Sequence, residues 1–376
     1  MRLRTIIGNT LTVIVSIAVT LLVLEIVLRF LPVAWAPPVH PPTPADPIQR
    51  YAPNTPFTWS LGATFKFIVR GRTNAQGFAA DYDYDPAVTT PLVAVLGDSF
   101  MEALRVRFAE TLTGRLQAKL GSKGRAYVFA QSGSPLSQYV AYARHACARY
   151  RPERLVVAVI GNDFEESLYP YRRRDGIHHL YPEADGTFEH KLTPLPPPTL
   201  GERIARRSAL ALYLARNLGV SDFLHWFRLA AALAATPEPN LYVGNTSAAA
   251  TPERLAEGEK VIAWFLAALP SAACLSPERI VLVVDGTRPE LYDERTLAEA
   301  RTSYFGRVRT ALIAQASALG FKVVDMELHF RAAYAADRLR FEFPTDGHWN
   351  AHGHAVTAEA VRAALADWSP LGPMVR

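Results

Sequence analysis

A serine follows a short apolar run in this sequence, at a position where it could act as a nucleophile. The triplet Gly97-Asp98-Ser99 comes directly after the run 91–96, which reads PLVAVL. At a turn from a strand into a helix, a serine presents its hydroxyl at the rim of a sheet, and its backbone N–H faces a helix N-terminus that favours negative charge. Serine is a poor nucleophile by itself and needs a base. Because such triplets also occur by chance, Ser99 is a candidate only together with a base and oxyanion donors.

The C-terminal segment contains a base for this serine. Asp346 stands two residues before His348, and an aspartate so placed can orient an imidazole and stabilise its cation. His352 and His354 follow closely; we interpret His354 as a residue at the start of a helix and His352 as a surface residue. The alternative interpretation is a solvated, histidine-rich loop without a chemical role. His348 is therefore the candidate base, and Asp346 is its orienting partner.

Two other short segments could stabilise a negatively charged oxygen. Gly133 closes the triplet 131–133 after the run 125–130, and the backbone N–H of a glycine can approach a ligand closely. Asn162 follows the run 154–160, and its side-chain amide is a hydrogen-bond donor. Each signal is weak alone, because a glycine or asparagine after a strand is usually only part of a turn. Together they supply the donors that acyl transfer needs.

The elements that must position these residues alternate along the chain. Short apolar runs with the character of buried strands are followed by helical stretches, which predicts a parallel sheet with helices on both faces and right-handed crossovers. Ligand sites of such sheets lie at the carboxyl ends of the strands, where Ser99, Gly133 and Asn162 stand. The predicted strands are 91–96, 125–130, 154–160, 279–284 and 321–324, and the predicted helices are 111–120, 137–149, 297–319 and 355–368.

A long insertion separates the third predicted strand from the fourth, at about 165–275. Its part 169–191 is rich in tyrosine, arginine and histidine and contains two Asp-Gly turn signals, which predicts a hairpin flap. Helices are predicted over 208–235 and 252–269. We interpret the insertion as a cap that shapes the substrate site; the alternative is a packing subdomain without substrate contact.

The N-terminus has the composition of a membrane anchor. Residues 5–27 are almost continuously apolar, which suffices to cross roughly 30 Å of hydrocarbon as a helix. Arg2 and Arg4 precede this run, so the positive-inside rule places the N-terminus in the cytoplasm and the rest of the chain outside. The triplet Ala34-Trp35-Ala36 resembles a signal-peptide cleavage site, but Pro37 would follow the scissile bond, so a cleavable signal peptide is disfavoured. Residues 32–56 are rich in proline and predict an extended spacer.

Composition and charge limit the other roles. The net charge of +5 comes without a basic stripe of interleaved aromatic residues, which argues against nucleic-acid binding. The two cysteines show no metal-site spacing, so a structural zinc is disfavoured, and the sequence predicts neither a metal nor a cofactor. Cys147 and Cys274 could pair outside the cytoplasm, or they are two small buried hydrophobic residues. Glu25 and Arg29 lie four residues apart near the predicted outer interface, where they could pair, snorkel to the headgroups or contact a partner membrane protein.

Four blocks of this sequence resemble those of the SGNH/GDSL hydrolase superfamily and follow the same order. The resemblance covers about residues 90–163 and 279–368, but not the insertion. It implies a three-layer α/β/α sandwich with a parallel five-stranded sheet, of the flavodoxin-like kind. The segment 73–78 also resembles one found in membrane-anchored members. The four blocks are GDSF at 97–100, Gly133, GND at 161–163 and DGHWNAHGH at 346–354.

The resemblance implies a role for each candidate residue. Ser99 is the nucleophile, His348 the general base and Asp346 its orienting partner. The backbone N–H groups of Ser99 and Gly133 and the amide of Asn162 form the oxyanion hole. This sequence departs from the family pattern in lacking the asparagine that many members carry before the second-block glycine, and in lacking a glycine soon after the serine. The supporting residues, which cap the following helix or brace a loop, are Asp98, Gly161 and Asp163.

The predicted organisation is an anchor helix at 1–31, a proline-rich linker at 32–56 and a hydrolase-like domain at 57–376. The predicted function is that of a single-pass protein of a bacterial inner membrane. Its periplasmic domain would hydrolyse O-acyl esters, expected to be O-acetyl groups of envelope carbohydrate or lipid. The alternatives are acyl transfer to a polysaccharide hydroxyl by the same residues, and a non-catalytic role as an accessory subunit of a membrane complex. A cytoplasmic nucleotide-binding protein is disfavoured because no Gly-rich phosphate loop follows the first strand.

Overall fold

The chain folds into two compact units. The computed structural model describes residues 2–43, 45–219, 249–288, 290–344 and 346–371, with the side chains of 2–5 and 346 excepted. The C-terminal part of the predicted helix 208–235 lies outside these described residues. The smaller unit contains Met1–Pro37, Pro56–Arg70 and Pro196–Glu238, and the larger unit contains Pro38–Thr55, Gly71–Leu195 and Pro239–Arg376.

The strands and α-helices are numbered in chain order through the described residues. The strands are β1 (Val39–His40), β2 (Arg50–Tyr51), β3 (Pro56–Leu61), β4 (Lys66–Arg72), β5 (Leu92–Gly97), β6 (Arg125–Ala130), β7 (Arg154–Val159), β8 (His178–Pro182), β9 (Phe188–Leu192), β10 (Ile280–Val284), β11 (Lys322–Asp325), β12 (Glu342–Phe343) and β13 (Asp346–Trp349). The helices are α1 (Arg2–Leu28), α2 (Ser99–Glu102), α3 (Leu112–Leu120), α4 (Leu136–Tyr150), α5 (Asp163–Glu166), α6 (Leu200–Ala205), α7 (Ala209–Leu212), α8 (Pro252–Ala273), α9 (Glu294–Ala300), α10 (Tyr304–Ala318), α11 (Met326–Asp337) and α12 (Ala351–Ala364).

The larger unit is built around a parallel sheet of five strands in the order β11-β10-β7-β5-β6. Every residue of β5 and β10 is buried, as expected for parallel strands that are covered on both faces. These strands correspond to the five predicted from the sequence, so the predicted α/β fold class is confirmed. Because the strands run in one direction, their carboxyl ends share one edge of the sheet.

Helices cover both faces of this sheet. The connection from β5 to β6 through α3 runs along the sheet in the opposite direction from the connections through α4, α8 and α10. Right-handed crossovers in opposite directions lie on opposite faces, so α3 lies on one face and the other three helices on the other. The packing agrees, since α4 contacts α8, α8 contacts α10, and α3 contacts α12. The result is the three-layer sandwich that the resemblance implied.

Three features of the larger unit differ from the sequence prediction. The predicted helix 297–319 is broken into α9 and α10, because Ser303 caps a new helix by accepting a hydrogen bond from the backbone N–H of Gly306. Helix α11, directly after β11, has no counterpart in the prediction, and neither has the hairpin of β12 and β13. The hairpin predicted in 169–191 is present as the antiparallel pair β8 and β9.

A disulfide joins the two cysteines of the chain. Cys147 lies near the end of α4 and Cys274 directly follows α8, with their Cα atoms 5.9 Å apart. Of the two alternatives open from the sequence, a pair or two buried hydrophobic residues, the structure has the pair. Because α4 and α8 pack on each other, the disulfide ties the last helix of the insertion to the helices of the sandwich.

The smaller unit is organised around helix α1. Its segment Ile6–Leu28 has a mean hydropathy of 2.8, and its length and composition are compatible with a single membrane span. The pair of Glu25 and Arg29 is present, with 2.9 Å between Oε1 and Nε. The Glu25 carboxylate also accepts hydrogen bonds from Ser208 Oγ and from the backbone N–H of Leu210 at the start of α7. This carboxylate is therefore bound within the chain.

Part of the segment predicted as a linker, 32–56, is folded. Strands β1 and β2 pair with Val39 opposite Tyr51. The side chains of Ile48 and Tyr51 are buried in the larger unit, because an apolar residue gains free energy by leaving water. The division of the chain into anchor, linker and domain stays a prediction.

Candidate active site

Ser99 stands where β5 turns into the short helix α2. Gly97 permits this turn, because a Cβ at that position would lie 2.3 Å from Met101 Cγ. Asp98 caps α2, since its Oδ1 accepts a hydrogen bond of 2.8 Å from the backbone N–H of Phe100. The cap stabilises the first turn of the helix. The partly exposed Ser99 hydroxyl therefore lies at the carboxyl edge of the sheet.

His348 lies within hydrogen-bond distance of this serine. Its Nε2 is 2.7 Å from Ser99 Oγ, a distance that suits proton transfer between the two groups. The imidazole stacks on the ring of Phe100, with the centroids 4.7 Å apart. Asp346 opens the strand β13 that carries His348, and its side chain lies outside the described residues. The structure brings the predicted nucleophile and base together, and the role of Asp346 stays a prediction.

Gly133 follows β6, the neighbour of β5 in the sheet. Its φ of +71° lies in the left-handed region that glycine tolerates. Ser132, the residue before it, donates its backbone N–H to Glu102 Oε1 at 3.1 Å, and its hydroxyl donates to the same carboxylate. Burial raises the pKa of Glu102. Glu102 thus ties the helix of the serine to the Gly133 loop; sequence reasoning missed it, and its only signal is a charge among the apolar residues after Ser99.

Asn162 follows β7, the other neighbour of β5. The residue lies in a buried turn and is only 6% exposed. Asp163 Oδ2 accepts hydrogen bonds from the backbone N–H of Ile160 at 2.8 Å and from the hydroxyl of Tyr139 at 3.0 Å. These bonds close the turn around the buried Gly161. Asp163 therefore holds the loop that presents Asn162.

Two buried carboxyl groups, Asp98 and Asp163, support the loops of the site. Burial raises the pKa of Asp98 to about 7. Burial also raises the pKa of Asp163 well above its usual range, and repulsion from Asp98 adds to that shift. Like charges close together in a poorly solvated place cannot both ionise easily. Near neutral pH the two carboxyl groups therefore carry less than two negative charges.

A buried ion pair holds the segment that carries His348. Arg288 Nη2 lies 2.6 Å from Asp285 Oδ2, and both side chains are almost completely buried. Arg288 Nη1 donates to the carbonyl oxygen of Gly347 at 3.0 Å, and Asp285 Oδ1 accepts from Trp349 Nε1 at 3.0 Å. The residues on both sides of His348 are thus bound to the connection after β10. Sequence reasoning missed this pair, whose signal is an aspartate directly after an apolar strand with an arginine three residues later.

The two other histidines of the C-terminal block have partners of their own. His354 lies in the first turn of α12, as predicted, and its Nδ1 accepts a hydrogen bond from the backbone N–H of Leu112 at 3.2 Å. Burial lowers the pKa of His354 to about 3, so it is neutral at ordinary pH. His352 was expected at the surface; instead it is partly buried, stacks on Phe341 and lies 3.2 Å from Asp337. Burial between these two groups explains the difference.

Solved structures similar to this chain include hydrolases of the kind that the motifs indicate. TesA shares 13% identity over 75% of this chain and 99% of that chain, with a TM-score of 0.38. A GDSL-like lipase from Parabacteroides merdae shares 12% identity over 75% of this chain and 98% of that chain, with a TM-score of 0.39. The acetyl xylan esterase AlAXEase shares 12% identity over 73% of this chain and 99% of that chain, with a TM-score of 0.40. No family model matches the sequence, and no curated protein matches it.

At these identities and TM-scores the likeness assigns no chemistry to this chain. The resemblance to SGNH/GDSL hydrolases depends instead on the blocks themselves. They occur in the order of that superfamily, and the structure places Ser99, Gly133 and Asn162 after three neighbouring parallel strands. It also brings His348 to Ser99. The order of the motifs, the arrangement of the sheet and the contact between Ser99 and His348 therefore all agree with the resemblance.

Proposed function

We propose that this protein is a serine hydrolase of the SGNH/GDSL type that cleaves O-acyl esters. The observation that carries the proposal is the 2.7 Å distance between Ser99 Oγ and His348 Nε2 at the carboxyl edge of a parallel sheet. Gly133 and Asn162 follow the strands on either side of β5 and supply donors for an oxyanion. A serine and a histidine in such contact can form and hydrolyse an acyl-enzyme.

The reaction has two steps. His348 takes the proton of Ser99 while Oγ attacks the ester carbonyl, and the oxyanion is stabilised by the N–H groups of Ser99 and Gly133 and by the amide of Asn162. His348 then gives the proton to the departing alcohol, which leaves Ser99 acylated. Water, deprotonated by His348, then attacks the acyl group, and His348 returns that proton to Ser99 Oγ as the bond to the acyl group breaks and the acid leaves. Asp346 orients the imidazole and stabilises its cation.

The substrate in this proposal is an O-acylated, chiefly O-acetylated, carbohydrate or lipid of the cell envelope. The domain 57–376, with its insertion at 165–275, would meet it on the periplasmic side of a bacterial inner membrane. Support comes from the apolar helix Ile6–Leu28 and from the disulfide, since disulfides persist in oxidising compartments and are rare in the cytosol. The alternative of a contact between Glu25 and a partner membrane protein gains no support, because the start of α7 already binds that carboxylate.

Covalent labelling tests the nucleophile directly. The full chain in detergent is treated with a fluorophosphonate probe as wild type, as Ser99→Ala and as Ser276→Ala, an exposed serine that serves as the control. Wild type and Ser276→Ala should be labelled, and Ser99→Ala should not. Removing the nucleophile should also reduce ester hydrolysis by about 10⁶-fold, the scale known for hydrolases with such a triad.

Labelling of Ser99→Ala at the wild-type level would show that the nucleophile is another residue. If wild type is neither labelled nor active on any ester, the hydrolase proposal is contradicted and the alternative hypothesis of an accessory subunit is favoured. Product mass, measured with and without an acceptor sugar, separates hydrolysis from transfer, because only transfer yields an acylated acceptor.

A further inference from the structure

An arginine of the insertion lies against one of the proposed oxyanion donors. A Cβ at Gly133 would stand 1.5 Å from Nη1 and 2.8 Å from Cζ of Arg174. The guanidinium therefore occupies the space directly beside the Gly133 Cα, which only a residue without a side chain leaves free. Arg174 belongs to the connection between α5 and β8, so this part of the insertion reaches the candidate active site.

The surroundings of the Arg174 guanidinium differ from those of the two arginines before it. Arg172 Nη1 pairs with Glu166 Oε1 at 3.4 Å, and the guanidinium of Arg173 lies 5.6 Å from the ring centroid of Tyr169. Within the part of the chain that the structure describes, the guanidinium of Arg174 forms neither an ion pair nor a hydrogen bond, although its side chain is partly buried. The charge of Arg174 acts on Glu166, where it counteracts the rise in pKa that burial causes, but that carboxylate already pairs with Arg172. A partly buried cation whose own N–H donors have no partner attracts a further anion.

The chemistry of the guanidinium narrows the kind of anion. Its planar set of N–H donors matches the two oxygens of a carboxylate or a phosphate, and such charge-assisted pairs are stronger than neutral hydrogen bonds. The oxyanion of the reaction is a single oxygen that the proposed site already supplies with donors. The N–H donors of Arg174 are thus suited to a second, permanent negative charge on the substrate, on the β6 side of Ser99.

We propose that Arg174 binds an anionic group of the substrate, a carboxylate or a phosphate close to the scissile ester. This inference rests on the proposed esterase function and refines it. The preferred substrates are then acyl esters of acidic polymers, such as O-acetylated uronic acids or O-acylated glycerol phosphates. Neutral acetylated polysaccharides lack the group that Arg174 binds.

The test compares charged and neutral forms of one polymer. Acetate release by the full chain in detergent is measured on O-acetylated polygalacturonate and on the same polymer with its carboxylates methyl-esterified. O-Acetylated poly(glycerol phosphate) is a third substrate, which separates a carboxylate from a phosphate as the preferred group. The variants are Arg174→Gln, Arg174→Lys and the matched control Arg173→Gln, which removes the same charge from a neighbouring residue.

Arg174→Gln should raise KM for the charged polymer by about 10- to 100-fold, the range for hydrogen bonds to a charged group. It should leave KM for the methyl-esterified polymer within about twofold, and Arg174→Lys should retain part of the preference because it keeps the charge. Arg173→Gln should behave as wild type. An equal loss on charged and neutral polymer, or no change on either, would overturn the proposal.

Binding separates this inference from the esterase function. Calorimetry with deacetylated oligogalacturonate and oligo(glycerol phosphate) uses Ser99→Ala, which is inactive under the proposed function, with and without Arg174→Gln. Binding of one oligomer that is lost with Arg174→Gln supports the anion site even if no ester is hydrolysed. Absence of binding to both, together with normal hydrolysis of neutral esters, contradicts the anion site and leaves the esterase function intact.

Discussion

The two halves of the candidate site are held in place by different forces. Ser99, Gly133 and Asn162 follow three adjacent strands of the sheet, whose backbone hydrogen bonds set their relative positions; in the register, Gly97 lies opposite Ala130. His348 belongs to a two-stranded hairpin outside that sheet. No register of the main sheet positions it, so side chains must do so.

The side chains that hold the histidine half are charged and buried. Arg288 binds the carbonyl of Gly347, Asp285 binds the indole of Trp349, and the two charges bind each other. Backbone ladders tolerate most side-chain changes, whereas a buried ion pair becomes costly when one partner is lost. We therefore expect substitutions in the two halves of the site to have different effects on stability and activity.

The largest effect should come from breaking the ion pair. Arg288→Met removes the ion-pair partner of the fully buried Asp285, so the free energy of unfolding should fall by about 3–5 kcal/mol. Ester hydrolysis should fall as well, because Gly347 loses its donor and His348 is no longer held opposite Ser99. Urea denaturation and kcat of the full chain in detergent measure the two effects.

Arg340→Ala is the matched control for this variant. Arg340 also lies near the hairpin and contacts Glu342 at 3.5 Å, but its side chain is 60% exposed. Its loss should cost only about 1 kcal/mol, because Glu342 keeps Arg288 at 3.7 Å. Equal losses in Arg288→Met and Arg340→Ala would mean that the buried pair has no special part in holding the hairpin.

The same contrast explains what the sequence could predict. The five strands were recognisable because each is a short apolar run, and their alternation with helices led to the sandwich and to the edge that carries Ser99, Gly133 and Asn162. Their order in the chain also matched a known family. Local pattern and chain order were sufficient for this half of the site.

The histidine half depends on contacts between residues far apart in the chain. Arg288 binds Gly347 across 59 positions, and nothing near either residue signals that partner. Helix α11 begins directly after β11 without a turn residue between them, and β12 has only two residues. Residue types predicted His348 itself, but tertiary packing determines how it reaches the serine.

In the half of the site that follows the strands, the stability contributed by Asp98 should depend on pH. Burial raises the pKa of Asp98 from 3.8 to about 7, so the folded protein holds this proton more tightly than the unfolded chain. The contribution of Asp98 to stability therefore declines as pH rises from about 4 to about 7. Asp98→Asn has no charge to bury and keeps an acceptor for the Phe100 N–H. Between pH 4 and pH 8 it should gain about 4 kcal/mol relative to wild type, as measured by urea denaturation.

Asp185→Asn is the control variant, in which stability relative to wild type should change with pH in the opposite direction. Hydrogen bonds from the Thr187 side chain and backbone lower the pKa of the exposed Asp185, so its charge favours the folded state above its unfolded pKa. Relative to wild type, this variant should lose stability as pH rises. A gain with pH in both variants would show that the Asp98 effect does not come from its burial.

A small change in the free energy of unfolding should follow removal of one oxyanion donor. Asn162→Ala keeps the turn, because Asp163 holds it through the Ile160 N–H and the Tyr139 hydroxyl. We expect kcat to fall by about 10²–10³-fold with KM nearly unchanged, since the donor acts on the transition state. Stability should change by only about 1 kcal/mol. Arg288→Met should lower both activity and stability, whereas Asn162→Ala should lower mainly activity. A stability loss in Asn162→Ala as large as that in Arg288→Met would show that the two halves of the site are not held in different ways.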